Sequence, residues 1–247
     1  MRKFLWLLVL IFSSTGLEAT PLIDSIKRIS PSVVGIGIHN PTGSPRISLV
    51  GTGFAVADGK KIVTNYHVIA ATLRTQRNES YVVLAGTGTN VQIIPVINKK
   101  TAPAYDLAVL DVETALPAAT LAGAELQPAG TEIGFTGFPI TNVLGLYPAT
   151  HRGIISAITP IATPADNSTQ LQAAALKRLQ QPYMVYQLDA TAYPGNSGSP
   201  LYNVETAEVI GIINKVFVKS TKEAVLKDPS AITYAIPVQF LLPLLSE

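Results

Sequence analysis

The residues best suited to bond-breaking chemistry lie in Tyr193-Pro194-Gly195-Asn196-Ser197-Gly198-Ser199-Pro200-Leu201. Glycines bracket a serine, and a backbone bare of side chains lets a carbonyl carbon approach Ser197 Oγ closely. The N–H groups of Gly195 and Ser197, with Asn196 between them, can point at a developing oxyanion. Taken alone, the composition is also that of an ordinary turn. A second candidate, His67, sits at the end of the apolar run Val63-Thr64-Asn65-Tyr66-His67-Val68. Imidazole titrates near neutrality and is the usual general base. The other histidines are His39, in a turn-rich segment, and His151, in Ala149-Thr150-His151-Arg152, and no flanking apolar strand is expected to fix either. Asp106 opens the run Asp106-Leu107-Ala108-Val109-Leu110-Asp111. A carboxylate at a strand entrance facing the interior needs a partner, and holding an imidazole tautomer would provide one. Asp111 competes, but strand alternation puts it on the solvent face.

His67, Asp106 and Ser197 follow one another in the chain order of the chymotrypsin-type triad, which differs from that of subtilisins and α/β-hydrolases. With these residues in place the sequence resembles the chymotrypsin-like serine proteases. It is most similar to the cysteine-free bacterial branch of HtrA/Deg-like and glutamyl-endopeptidase-like enzymes. The similarity is carried by Ser30-Pro31-Ser32-Val33-Val34, by Gly51-Thr52-Gly53-Phe54 with Ile62-Val63-Thr64-Asn65-Tyr66-His67-Val68, and by Asp106-Leu107-Ala108-Val109-Leu110. It continues through Gly195-Asn196-Ser197-Gly198-Ser199-Pro200-Leu201, Val209-Ile210-Gly211-Ile212 and Tyr234-Ala235-Ile236-Pro237. The resemblance implies an all-β fold of two six-stranded antiparallel Greek-key barrels with the site between them. It implies a serine endopeptidase acting through an acyl-enzyme, with His67 as base and then acid, Asp106 orienting it and Ser197 attacking. Gly195, Asn196 and Ser197 would form the oxyanion hole. A polypeptide substrate would add as a strand along Ile212, Ile213 and Asn214. No cofactor and no metal are implied.

The departures from the family pattern are informative. Ser199 stands where HtrA proteins usually carry Gly, as in glutamyl endopeptidases. Those enzymes read glutamate with a histidine where this chain has Ile213, so glutamate preference is not expected unless Lys215 faces the pocket. Asn196 replaces the aspartate that pairs with a cleaved N-terminus in digestive enzymes, so that form of activation is not expected. By the resemblance, Thr191, six residues before Ser197, takes the pocket-floor position; it is not acidic, and Ala192 is small. An apolar or small substrate side chain is therefore expected, rather than Arg or Lys. No PDZ domain is expected after the second β unit. Two other functions are compatible with these residues: a catalytically silent binding protein on a protease fold, and an esterase-type acyl hydrolase.

The elements that must position these groups are mostly strands. Short apolar runs at 32–38, 47–56, 61–64, 81–84, 91–97 and 106–112 are separated by Gly, Pro, Asn and Asp, the pattern of an all-β barrel or sandwich. Residues 113–130, rich in Ala, Pro and Gly, read as a linker. A second β unit has runs at 132–135, 153–158, 184–189, 209–218 and 232–236. Helical spacing marks 21–29, closed by Pro31, and the stretch 237–245, interrupted by Pro243. Thr169–Gln181 is rich in helix formers and predicts a short helix within a loop, 162–182, able to cover or regulate the site. No fixed-period repeat, low-complexity tract or heptad pattern is present.

Composition sets the outer bounds. The chain has 247 residues, 47% hydrophobic and 14% charged, with 18 glycines, 18 prolines and no cysteine. A disordered tail protein would be poorer in apolar residues, and a disulfide scaffold or thiolate metal site is impossible. A net charge of +2 is too small for a nucleic-acid footprint. Met1-Arg2-Lys3, the apolar run Phe4 to Phe12 and the small residues up to Ala19 read as a secretory signal peptide, too short to span a bilayer. The expected organisation is signal peptide 1–19, a first barrel in 20–120 and a second in 121–247. Export to a bacterial periplasm or exterior is expected, with no membrane span after signal cleavage.

Overall fold

The computed structural model describes residues 20–139, 146–161, 182–216 and 232–246. The expected signal peptide and the expected helix at 169–181 lie outside these residues.

Helix α1 (Pro21–Ile29) has Pro at its first turn, Asp24 near its start and Lys27 and Arg28 near its end, each favourable to the helix dipole. It buries Ser25 and Ile29, and Ser25 Oγ donates to the Val204 carbonyl, so the helix is pinned to the second half of the chain.

The first sheet comprises β1 (Val33–His39), β2 (Ile47–Val56), β3 (Lys61–Asn65), β4 (Ser80–Thr87), β5 (Asn90–Pro95), β6 (Asn98–Ala102) and β7 (Leu107–Asp111). Its antiparallel order is β5-β4-β1-β2-β3-β7-β6. Within it β4-β1-β2-β3 is a Greek key. The order gives seven strands rather than the expected six, and its outer strands β5 and β6 are consecutive in the chain. At their junction Val96 N donates to Tyr81 O on β4 (3.2 Å), and Ile97 N donates to Asp111 O on β7 (2.9 Å). One bent run thus bridges both edges, and the ring counts six when β5 and β6 are taken as one strand. Strand β6, Asn-Lys-Lys-Thr-Ala, carries no apolar pattern, and its place comes from pairing with β7.

The second sheet comprises β8 (Glu132–Gly137), β9 (Ala149–Pro160), β10 (Met184–Asp189), β11 (Pro200–Asn203), β12 (Val209–Val216) and β13 (Ile232–Pro237). It closes as a barrel in the order β10-β13-β12-β11-β8-β9. Strand β11 begins at the end of the glycine-serine segment and went unpredicted because it is only four residues long. Between the sheets, residues 113–130 form no regular element beyond one bridge, Leu121 to Val209. That stretch is nonetheless fastened, through Leu116 N to Gly59 O, Ala119 N to Ala55 O and Ala122 N to Val209 O. The C-terminal stretch is a 3-10 turn, Val238–Phe240, followed by helix α2 (Leu242–Ser246). Pro243 falls at the second position of α2 and opens that helix rather than interrupting a longer one.

The buried apolar residues among those described form three clusters. One fills the first ring, with Val34, Ile36, Ala55, Ile62, Val83 and Leu110. Another fills the second barrel, with Ile133, Phe135, Ile155, Tyr186, Leu201 and Ile213. The third joins the two, packing Phe54, Val63 and Leu107 of the first sheet with Tyr202, Ile212 and Ile236 of the second. Strand alternation produces this, since opposite faces of β2 and β12 feed different clusters.

Candidate active site

His67 lies on a 3-10 turn, Tyr66–Ile69, that directly follows β3. Asp106 is the residue before β7 and adopts a left-handed backbone (φ 54°), a conformation that Asp tolerates better than most residues. Its carbonyl accepts from Tyr66 N (3.0 Å) and Asn65 Nδ2 (3.2 Å), which locks the two segments together. The Asp106 side chain is almost fully buried and both carboxylate oxygens are used. Oδ2 lies 2.7 Å from His67 Nδ1, and Oδ1 accepts from the His67 backbone N–H at 2.9 Å. Nδ1 therefore carries the proton and Nε2 is left as the acceptor. Asp111 is placed elsewhere. It bonds Lys61 Nζ (3.0 Å) and Asn98 Nδ2 (3.0 Å), tying β7 to its two neighbours.

The serine segment is fastened to the first sheet through Thr52 on β2. Thr52 N donates to Ser197 O (2.9 Å) and Thr52 Oγ1 to Gly195 O (2.7 Å), while Oγ1 also accepts from Phe138 N (3.0 Å). Thr64, three residues before His67, donates through Oγ1 to Thr52 O (2.7 Å). Gly198 is required by this contact: its φ is +88°, and a methyl group there would lie 2.0 Å from Thr52 O. A methyl on Gly51 would lie 2.8 Å from the Val68 side chain and 3.2 Å from Ser197 O. Ser197 and the residue after His67 thus flank the same glycine.

On its other side the segment is held by β12, with Gly198 N donating to Ile213 O and Ile213 N to Ser199 O, both at 2.9 Å. Ile212 and Ile213 are fully buried core residues with these backbone groups already engaged, so neither presents a side chain to a cleft. Of that trio only Asn214 faces the serine directly, its carbonyl accepting from Ser197 Oγ at 3.3 Å. Among the described residues no hydrogen bond joins Ser197 Oγ to His67. Asn196 spends its backbone N–H on Tyr193 O (3.0 Å), whereas the Gly195 and Ser197 N–H groups find no acceptor among the described residues. Gly195 has φ +102°. Ala192 is buried, its N–H donating to Thr233 Oγ1 (3.1 Å), and Thr191 beside it is half-buried. No group of three or more His, Cys, Asp or Glu among the described residues is placed to hold a metal ion.

Two histidines differ from expectation. His39 ends β1, and His151 lies within the twelve-residue strand β9. Sequence reading missed His151 and the fastening role of Thr52, because both act through residues far away in the chain.

The trypsin-like peptidase domain family model matches residues 51–212, the span holding His67, Asp106 and Ser197. The chain belongs to the trypsin-like peptidase family. Within this family it is similar to the mitochondrial serine protease HTRA2 of Bos taurus, with 29% identity over 87% of this chain and 40% of that one. It is also similar to the putative serine protease HhoB of Synechocystis, with 30% identity over 81% of this chain and 40% of that one. The chain spans about two fifths of the length of these curated relatives. Among solved structures, the HtrA-type protease AlgW with tripeptide matches with a TM-score of 0.64, at 25% identity, over 91% of this chain and 62% of that one. The all-β trypsin-like peptidase fold and the HtrA-type affinity expected from the motifs are thereby shown.

Proposed function

We propose that this chain is a serine endopeptidase in which His67, Asp106 and Ser197 act as a triad. The observation that carries this reading is the two-oxygen grip of Asp106 on His67, set beside the serine segment that Thr52 holds against the same sheet. In the reaction the Ser197 hydroxyl leaves Asn214 O and turns to His67 Nε2, which takes its proton as Oγ attacks the scissile carbonyl. Asp106 stabilises the imidazolium without accepting its proton. The negative oxygen of the tetrahedral intermediate is received by the Gly195 and Ser197 N–H groups. His67 then protonates the leaving amine, and water resolves the acyl-enzyme by the same route. Beyond Ile213, β12 has no partner on the serine side among the described residues, so a peptide can add there as a strand next to Asn214. The AlgW structure with tripeptide is of a related protease holding a short peptide. The Thr191-Ala192 segment, uncharged, supports a small or apolar side chain in the pocket. The basic and apolar start of the chain supports export, and the Halomonas elongata relative is named a probable periplasmic serine endoprotease.

A fluorophosphonate should label the protein at Ser197, and Ser197→Ala should abolish both labelling and cleavage of casein or a peptide library. Undiminished cleavage by the Ser197→Ala protein would overturn the assignment. N-terminal sequencing of exported protein tests the signal peptide.

A further inference from the structure

The triad does not involve His151, yet this histidine lies against the serine segment. Its ring stacks on Phe135, the residue paired with it across β8 and β9, with centroids 4.8 Å apart and planes 17° apart. It also meets the Tyr193 ring, with centroids 5.7 Å apart and planes tilted by 43°. Its Nε2 lies 3.3 Å from Asn196 Nδ2. Asn196 is fully buried and immediately precedes Ser197. Its backbone closes the turn in both directions, N–H to Tyr193 O and carbonyl from Ser199 N, each at 3.0 Å. The side chain has less support: Oδ1 is buried with no partner among the described residues, so His151 is the partner of this amide there. His151 thus touches both Tyr193 and Asn196, the two residues that define the turn presenting Gly195 and Ser197.

We propose that His151 is a positioning residue for the reaction, holding Asn196 through Nε2 so that the Gly195 and Ser197 N–H groups stay aimed at the oxyanion. This rests on the endopeptidase reading above. A buried amide with one anchor swings if that anchor is lost, and the turn it belongs to relaxes with it. The oxyanion contact exists only in the transition state, so the loss falls on kcat rather than on KM. Burial lowers the imidazole pKa below its ordinary value, which keeps Nε2 available as an acceptor in the neutral ring.

The stack and the hydrogen bond can be separated. His151→Phe keeps an aromatic ring beside Phe135 and Tyr193 but has no ring nitrogen. His151→Gln loses the ring and keeps an amide able to pair with Asn196. His151→Phe should lower kcat by about tenfold or more with KM little changed, the effect of one lost transition-state contact. His151→Gln should recover most of that loss. Thermal melts establish that each variant is folded. Wild-type kcat in His151→Phe, or a Gln variant no better than the Phe one, overturns the proposal. Fluorophosphonate labelling of the wild type separates the two readings: an unlabelled wild type refutes the endopeptidase assignment itself. A labelled, active wild type with an equally active Phe variant refutes only the role of His151.

Discussion

At the scale of single residues, the arrangement turns on one carboxylate with two tasks. Asp106 holds both the His67 ring and its backbone, so replacing one oxygen by NH2 alters the tautomer while leaving the chain trace in place. Asp106→Asn should therefore lower kcat by about 10⁴-fold while the melting temperature changes little; a burst-titrated turnover assay measures it. His151 supplies a second residue-level expectation, this time for stability. Burial lowers its pKa in the folded chain below the ordinary value near 6.5. Its contribution is thus fully present above the unfolded pKa and is lost as pH falls through the folded one. Melting temperatures at pH 7.5 and pH 5 should differ less in His151→Phe than in wild type. An equal difference in both proteins would assign the acid sensitivity to other groups. Asp111 is the contrasting carboxylate. Burial alone would raise its pKa, but hydrogen bonds from Lys61 and Asn98 and the nearby charges of Lys61 and Lys100 lower it. That belongs to strand pairing and has no part in the proposed chemistry.

At the scale of elements, β2 is the strand on which the two halves of the site meet. Thr52 uses its N–H, its carbonyl and its hydroxyl to connect Ser197, Thr64, Gly195 and Phe138. Valine has nearly the same shape but would leave the buried Phe138 N–H without an acceptor and Gly195 O without its donor. Thr52→Val should cost about 1–3 kcal/mol of stability, as for a buried polar group left unpaired. It should also lower kcat, because Gly195 loses its tether. Denaturant unfolding gives the first quantity and turnover the second, and a variant matching wild type in both would show that Thr52 does not fasten the segment. The glycines around it follow from the same closeness. Gly198 cannot carry a side chain because the Thr52 carbonyl already fills that space.

At the scale of the whole molecule, one apolar cluster joins the two sheets. Phe54, at 0% exposure, belongs to that cluster rather than to the interior of either ring. Helix α1 and the C-terminal residues Val238 and Leu241 pack into the same region. The two sheets are therefore expected to melt together. Phe54→Ala should cost about 3–5 kcal/mol and should shift a single transition rather than split it. Tyrosine fluorescence, from tyrosines in both sheets, and far-ultraviolet circular dichroism need to coincide in wild type and variant; two separated transitions would show that the halves are thermodynamically independent.

The sequence by itself singled out the groups proposed to react and most of the elements. Helix α1 and strands β2 and β10 fall where spacing predicts, because their apolar periods are long enough to report a backbone and a buried face. The motifs around His67, Asp106 and Ser197 carried the family and hence the two-ring architecture. Other features depended on distant partners. Strand β6 exists because β7 offers it a ladder, and the first ring closes because Val96 and Ile97 reach opposite edges. Asp106 was preferred to Asp111 from the sequence, but their contacts followed from register, which brings Asp106 against His67 and Asp111 beside Lys61 and Asn98. The same register sends Ile212 and Ile213 into the core, leaving Asn214 beside Ser197, and sets His151 against Asn196. Local pattern records what each segment prefers and which face it buries; a contact between distant residues comes into being only when strands are paired, and one residue of slip would undo it.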